Sequence, residues 1–375
     1  MNNSKIYFLF ITFILILLFG ATAISAVDEN TTQTPTNDIV SQDLSENITS
    51  NNIEKIIKEN KVETQTKENK KISKNNTNIQ KKSENNYIYV SSKGNTNNDG
   101  LDRTTPTTIE KALTNIYNNS VIYFITNTNE DTYYFKTPLN VTTAENNITF
   151  TLKGEENKKI IFNGGNETGF LKFKDEGNNI TISNIEFRNS KTDCLIFAHN
   201  NNLKLDNLTF TENTLEIEDM SKMTELATIL DLSYSNILIN NTIFKGNFAQ
   251  NLSSLIVVRN SSNFILNNSV FENNRGVDFS RGIFSKSSYL IIENNTFRYN
   301  YFDDQNIMVI SYSKIDITST KFYNNSIKED GCINIILSEV NFKNSEFTDN
   351  KAKNGGVLFI QDSGCNIYKL NILKK

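Results

Sequence analysis

Three acidic side chains recur at one place in the second half of this 375-residue chain. Asp278, Asp304 and Glu329 each follow a phenylalanine by seven residues, with Asp303 and Asp330 beside the last two. Carboxylates stacked one strand spacing apart repel each other; a bound cation relieves that repulsion, and so does a solvated loop. Arg275, Arg281 and Arg298 lie near in sequence and are available to neutralise the column. Cleaving a sugar chain wants two carboxylates facing across the bond, or an acidic cation site with a base beside it. The column is read as a solvated row or a cation site, and no catalytic residue is assigned. His199 is the only histidine, with no Cys or second His at ligand spacing, so no zinc site is legible. No nucleophile motif or phosphate-cradling glycine loop occurs either, and the chain is read as non-enzymatic and without a cofactor.

The acidic residues belong to a repeat, whose grammar is plainest from Asn263 to Ser288. A phenylalanine anchors each copy at Phe187, Phe210, Phe244, Phe271, Phe297, Phe322 and Phe347, at spacings of 23, 34, 27, 26, 25 and 25 residues. Seven and five residues before each anchor the side chain is apolar in every copy, as at Phe264 and Leu266. Three before it stand Asn184, Asn207, Asn241, Asn268, Asn294 and Asn344, with Ser319 the substitute. Three after it stand Asn213, Asn247, Asn274, Asn300, Asn325 and Asn350, with Ser190 the exception. A unit of about 25 residues cannot enclose a core of its own, so the copies must stack on one another. Period-two alternation and Asn-rich breaks make the unit strand and turn, and the fold an all-β solenoid. Strands about 4.8 Å apart place each Asn over the next, where the amides can form a ladder. Asn also tolerates the left-handed backbone of a tight corner.

The paired elements F-x-x-N and G-G-x, fullest in FTDNKAKNGGVLF from Phe347 to Phe359, resemble the repeats of polymorphic outer-membrane proteins and of adhesin-like proteins of gut methanogenic archaea. That resemblance implies a right-handed parallel β-helix of pectin-lyase-like architecture, displayed at a cell surface. It covers residues 178–375. Earlier copies keep a single glycine, at Gly282 and Gly331, so the fold match is firmer than any subtype.

Read in order, residues 1–26 carry Lys5, an apolar run from Ile6 to Phe19, and small residues ending at Ala26, the layout of a secretory signal peptide. Left uncleaved, the same segment would anchor the chain, and it is the one expected contact with a membrane. Residues 27–86 are polar, lack aromatic residues and are expected to be a disordered spacer. Residues 87–177 should hold a capping strand, a loop at 95–102 open to calcium, a short helix over 108–117, and irregular first coils. Strands are expected at 121–125, 132–135, 148–152, 159–162 and 170–173, and regular coils over 178–375. About ten coils would span roughly 45 to 50 Å. Cys194, Cys332 and Cys365 are read as core thiols. A net charge of −4 without a basic stretch in the folded part speaks against nucleic acid.

Outward positions suggest binding. Six residues before the anchors, Leu238, Ile265 and Ile291 should form an apolar strip, since side chains alternate across a strand. The coil between Phe210 and Phe244 is long, and Leu215, Ile217, Met220 and Met223 in its insert are expected to cover the strip or border a groove. The function expected is an adhesin-like, extracellular or cell-surface protein whose partners are glycans or proteins of another cell. A polysaccharide lyase or hydrolase on the same fold, or a structural envelope component, stands as the alternative.

Overall fold

The alternation within each copy produces four short strands per coil. The computed structural model describes residues 86–373, except 217–226, 262, 329–330 and 354–355. The coil that starts at Asn263 runs through strands Asn263–Asn267, Val270–Glu272, Arg275–Gly276 and Arg281–Lys286. Each lies parallel to its counterpart one coil on, in register, as Phe264 with Leu290, Phe271 with Phe297, Gly276 with Phe302 and Phe284 with Val309. Successive coils thus build four sheets of 11, 10, 6 and 9 strands, here called first to fourth in the order the chain visits them. The fold is a right-handed parallel β-helix.

The core follows from the anchors. Phe187, Phe210, Phe244, Phe271, Phe297, Phe322 and Phe347 are buried and stack face to face, with centroids 5.1, 5.1, 4.4, 4.6, 4.8 and 4.5 Å apart. The strand spacing dictates that interval, so one aromatic per coil makes a continuous column. Gly282 is needed because the next coil passes close: a Cβ there would lie 2.5 Å from the carbonyl oxygen of Ile307.

Corners explain the asparagines. Where the chain leaves the second sheet, Asn213, Asn247, Asn274, Asn300, Asn325 and Asn350 point inward. Each Nδ2 donates to the Oδ1 of the next, at 2.9 to 3.0 Å along five rungs. Each also donates to a main-chain carbonyl, Asn274 to that of Phe244 at 2.8 Å. The same Oδ1 accepts the main-chain N–H of the preceding Asn, as Asn274 does from Asn247 at 3.1 Å. Every polar atom of a buried side chain is thereby satisfied.

The other column differs from expectation. Asn184, Asn207, Asn241, Asn268, Asn294 and Asn344 all adopt left-handed backbone, with φ between 49° and 58°, and Ser319 matches them at 50°. Asn207 Nδ2 reaches Asn184 Oδ1 at 2.9 Å, but Asn241 turns to Asp206 and Asn268 to Asn240, so no continuous amide ladder forms. The left-handed turn swings these side chains toward solvent; backbone tolerance, not amide pairing, is what the position demands. The ladder behind this corner is built one residue later, where the N–H of Thr242, Ser269, Asn295 and Thr320 donates to the side chain of Ser269, Asn295, Thr320 and Ser345. A third ladder runs through Ser235, Ser261, Ser288, Ser313, Ser338 and Ser363 where the fourth sheet meets the first.

At the N-terminal end, strand Asn86–Val90 adds to strand Ser120–Phe124, and Ile109, Leu113 and Ile116 bury against the first coil. The helix is one turn, Ile109–Ala112, shorter than expected, because Asn115 turns left-handed and the N–H of Ile116 pairs with Thr142. In the loop at 95–102, the Lys111 ammonium donates to the carbonyls of Thr96 and Asn98, the kind of oxygens a cation would use. The early strands fall within two residues of expectation, at Ser120–Phe124, Glu130–Tyr134, Thr149–Gly154, Lys159–Asn163 and Leu171–Phe173. The three-residue strand Leu139–Val141 was too short to read. Cys332 is a core thiol, whereas Cys194 and Cys365 are only half-buried. Cys365 belongs to the last described coil, where Ile367 and Ile372 are exposed. The expected signal segment, and the spacer up to residue 85, lie outside the described residues.

Candidate functional site

Tyrosines occupy corner positions with left-handed backbone, which other copies fill with asparagine, serine, glycine, aspartate, glutamate or leucine. Tyr299 has φ 56° at the corner between the second and third sheets, the place held by Gly246, Asn273 and Asn324 in neighbouring coils. Tyr234 and Tyr312 adopt φ 58° and 50° at the corner between the fourth and first sheets. A bulky side chain in this region costs about 1 to 3 kcal/mol. All three are exposed, Tyr299 to 50%.

Around Tyr299 the neighbours form a set. The Tyr323 ring meets it edge-on at 5.8 Å, and Arg298 Nη1 donates to the Tyr323 hydroxyl at 2.9 Å. Arg298 Nε donates to Glu272 at 2.9 Å, and Lys245 lies 3.8 Å from the same carboxyl group. The hydrogen bond from Arg298 holds the Glu272 carboxyl below its ordinary range. Across the corner, Phe248, Arg275 and Tyr301 follow in register on the third sheet, and the Arg275 guanidinium lies 5.8 Å and 5.6 Å from their ring centroids. Tyr301 donates its hydroxyl to Asp303 at 3.1 Å, and Lys328 pairs with that carboxylate at 2.9 Å. These ion pairs fix aromatic rings that stay accessible to solvent.

The residues singled out from sequence are placed differently. Leu238, Ile265 and Ile291 do stand in register on the outer face of the first sheet, half-buried. Next in that column, Asp316 accepts from Tyr289 at 2.6 Å and from Asn341 at 2.7 Å, so the strip ends in a polar network. Leu215, assigned to the insert, is a core residue paired with Ala249; Ile217, Met220 and Met223 lie outside the described residues. In the acidic column Asp278 is exposed and Asp304 half-buried, while Glu329 lies outside the described residues. Burial first, then Asp303 and Asp278, push the Asp304 carboxyl upward. Among the described residues the three arginines form no ion pair with the column. Arg298 is bound to Glu272, Arg275 lies between two rings, and Arg281 lies over Phe284 at 4.8 Å. Among the described residues no cluster of three His, Cys, Asp or Glu is arranged for a metal.

Sequence reasoning missed two charged arrangements. Asp231, 1% exposed, lies 3.0 Å from His199 Nε2 and 3.0 Å from Arg259 Nη2, and accepts from Ser233 at 3.0 Å. Burial works to raise its pKa, but His199, Arg259 and Ser233 outweigh it and hold the carboxyl below its ordinary value. These residues come from three adjacent coils, a proximity invisible at separations of 28 to 32 residues. The second is a shallow cleft of about 400 Å³ lined by Glu155, Lys159, Asn184, Glu186, Asn207 and Thr209. Glu155 is held by Arg103, and Glu186 by Lys159 at 3.1 Å and Arg188 at 3.4 Å.

Fold and surface together define a parallel β-solenoid with ion-paired aromatic corners. Residues 173–372 match the family described as right handed beta helix region, and the chain belongs to that family. No curated protein matches the sequence. Similar solved structures include an endo-xylogalacturonan hydrolase from Aspergillus tubingensis, at 11% identity and TM-score 0.36, over 76% of this chain and 95% of that one. A pectate lyase is similar at 13% identity and TM-score 0.32, over 76% and 78%. A lacto-N-biosidase from Eubacterium ramulus is similar at 11% identity and TM-score 0.27, over 77% and 68%. Likeness at this level carries no argument about activity.

Proposed function

We propose that this chain is an exported, non-enzymatic surface protein whose solenoid presents its faces and corners to glycans or to the surface of another cell. The observation that carries this reading is the set of strained, exposed tyrosines at Tyr234, Tyr299 and Tyr312, where asparagine or glycine would fold more cheaply. Aromatic rings held in solvent at a folding cost are a surface for contact. Repetition along a rigid frame lets weak contacts add through effective concentration. Export rests on the apolar run from Ile6 to Phe19.

A second reading, a carbohydrate-cleaving enzyme, is favoured by the cleft beside Glu155 and Glu186. One experiment separates them. The purified protein is incubated, with and without calcium, with mucins and plant and microbial polysaccharides, and both retention and chain length are followed. Retention with unchanged chain length is the expected result. Shortened chains overturn the non-enzymatic reading, and no retention at all leaves a purely structural envelope role.

A further inference from the structure

Triplets of the form Asn-x-Ser or Asn-x-Thr are acceptors for N-linked sugars in exported chains, and this chain carries many. The fold sorts them. Asn207 and Asn240 each open such a triplet, but they donate their Nδ2 to Asn184 at 2.9 Å and to Asp206 at 3.0 Å. Asn324 opens Asn324-Asn325-Ser326 at the corner between the second and third sheets, exposed and on left-handed backbone with φ 54°. No side-chain hydrogen bond engages it among the described residues. Tyr299 holds the same corner place one coil earlier, since Arg298 and Tyr323, the residues just before them, are paired in register. An exposed ring, with the Tyr323 ring edge-on at 5.8 Å, thus stands one strand spacing from the acceptor. The same order recurs at the corner between the fourth and first sheets, where Tyr234 precedes Asn260, the opening residue of Asn260-Ser261-Ser262. Tyr312 precedes Leu337 and has no triplet beside it in the following coil.

We infer that Asn324 is an N-glycosylation site and that the Tyr299 ring packs against the first sugar attached there. The inference rests on the export reading above and gives Tyr299 a saccharide of the chain's own as its contact. In the transfer, Asn324 Nδ2 attacks C1 of a sugar carried on a lipid diphosphate. The N–C1 bond forms as the C1–O bond to phosphate breaks, the amide loses one proton, and the lipid diphosphate leaves without any redox change. The Ser326 hydroxyl completes the triplet that the transferase recognises. Because the left-handed corner turns Asn324 outward, the added sugar leaves the buried ladder through Asn300, Asn325 and Asn350 intact. The accessible Tyr299 ring supplies apolar area for a sugar face.

The test isolates the full chain from the cells that make it, records where it is found, and maps its peptides by mass spectrometry. The exported protein should carry a glycan mass on the Asn324 peptide, lost in both Asn324→Gln and Ser326→Ala and kept in Ser326→Thr, while Asn207 and Asn240 stay bare. Nitration of Tyr299 should be several-fold slower in the glycosylated protein than in Asn324→Gln, with Tyr312 reacting equally in both. An exported chain whose Asn324 is bare overturns the inference and leaves export standing. Equal occupancy at Asn207 and Asn240 overturns the selection by corner geometry, and equal nitration of Tyr299 with and without the glycan overturns the packing. A chain retained in the cytoplasm overturns the export reading and the inference with it.

Discussion

At the scale of single residues, the two asparagine columns do different work, and substitution separates them. Asn274→Ala should destabilise the protein by about 3 kcal/mol, because it strands the amide of Asn247 and the carbonyl of Phe244 in the core. Asn268→Gly should change stability by less than about 0.5 kcal/mol, since only its left-handed backbone matters. Urea unfolding of both variants checks the contrast; equal losses would contradict it. Asp231 gives a pH prediction. Its carboxyl titrates below the ordinary 3.8, so its ionised form adds stability that is complete above 3.8 and disappears as pH falls through the lower folded value. Asp231→Asn should cost about 2 kcal/mol at pH 7, by leaving Arg259 and His199 without their partner. The gap between variant and parent should narrow below pH 3.8, as read from melting midpoints across the range.

At the scale of elements, the phenylalanine column and the outer strip are both apolar and both in register, but only one is enclosed. Phe271→Ala opens a cavity between Phe244 and Phe297 and should cost about 4 kcal/mol. Ile265→Ala, on the half-buried outer face, should cost less than about 1 kcal/mol. Denaturant midpoints of the two variants test this, and a similar loss at Ile265 would mean that the strip is covered. The phenylalanine spacing was legible in the sequence because one residue type recurs at a nearly constant interval. The ladder through Thr242, Ser269, Asn295, Thr320 and Ser345 was not, although each stands two residues before an anchor. Hydroxyl and amide oxygens serve equally as its acceptors, so the position repeats a chemistry and not a residue type.

At the scale of the whole solenoid, stability is passed between neighbouring coils, and the coils that carry Cys332 and Cys365 enclose their thiols to different degrees. Thiol reactivity reports the difference. Burial pushes the Cys332 thiol up to about 12, so it should stay unreactive toward a maleimide at pH 8 until the protein unfolds. Cys365 is half-buried one coil later and should react in the folded state, more slowly than a free thiol because burial also raises its pKa. Mass spectrometry of the labelled native protein distinguishes the two sites. Labelling of Cys332 at the same rate as Cys365 would show that the coils open together.

The sequence by itself determined the solenoid: its period, its stacked phenylalanines, the inward asparagine ladder and the apolar positions that enclose the core. These are properties of one coil repeated, and a repeat prints them at fixed intervals along the chain. Only the tertiary structure decided which asparagines turn outward, which carboxylates are already paired, and where an arginine lies between two aromatic rings. Those depend on side chains about 25 residues or more apart in the chain and one strand spacing apart in space. Coil lengths vary, so no fixed interval marks such contacts, and backbone conformation at a corner decides whether the same residue type enters the core or meets solvent.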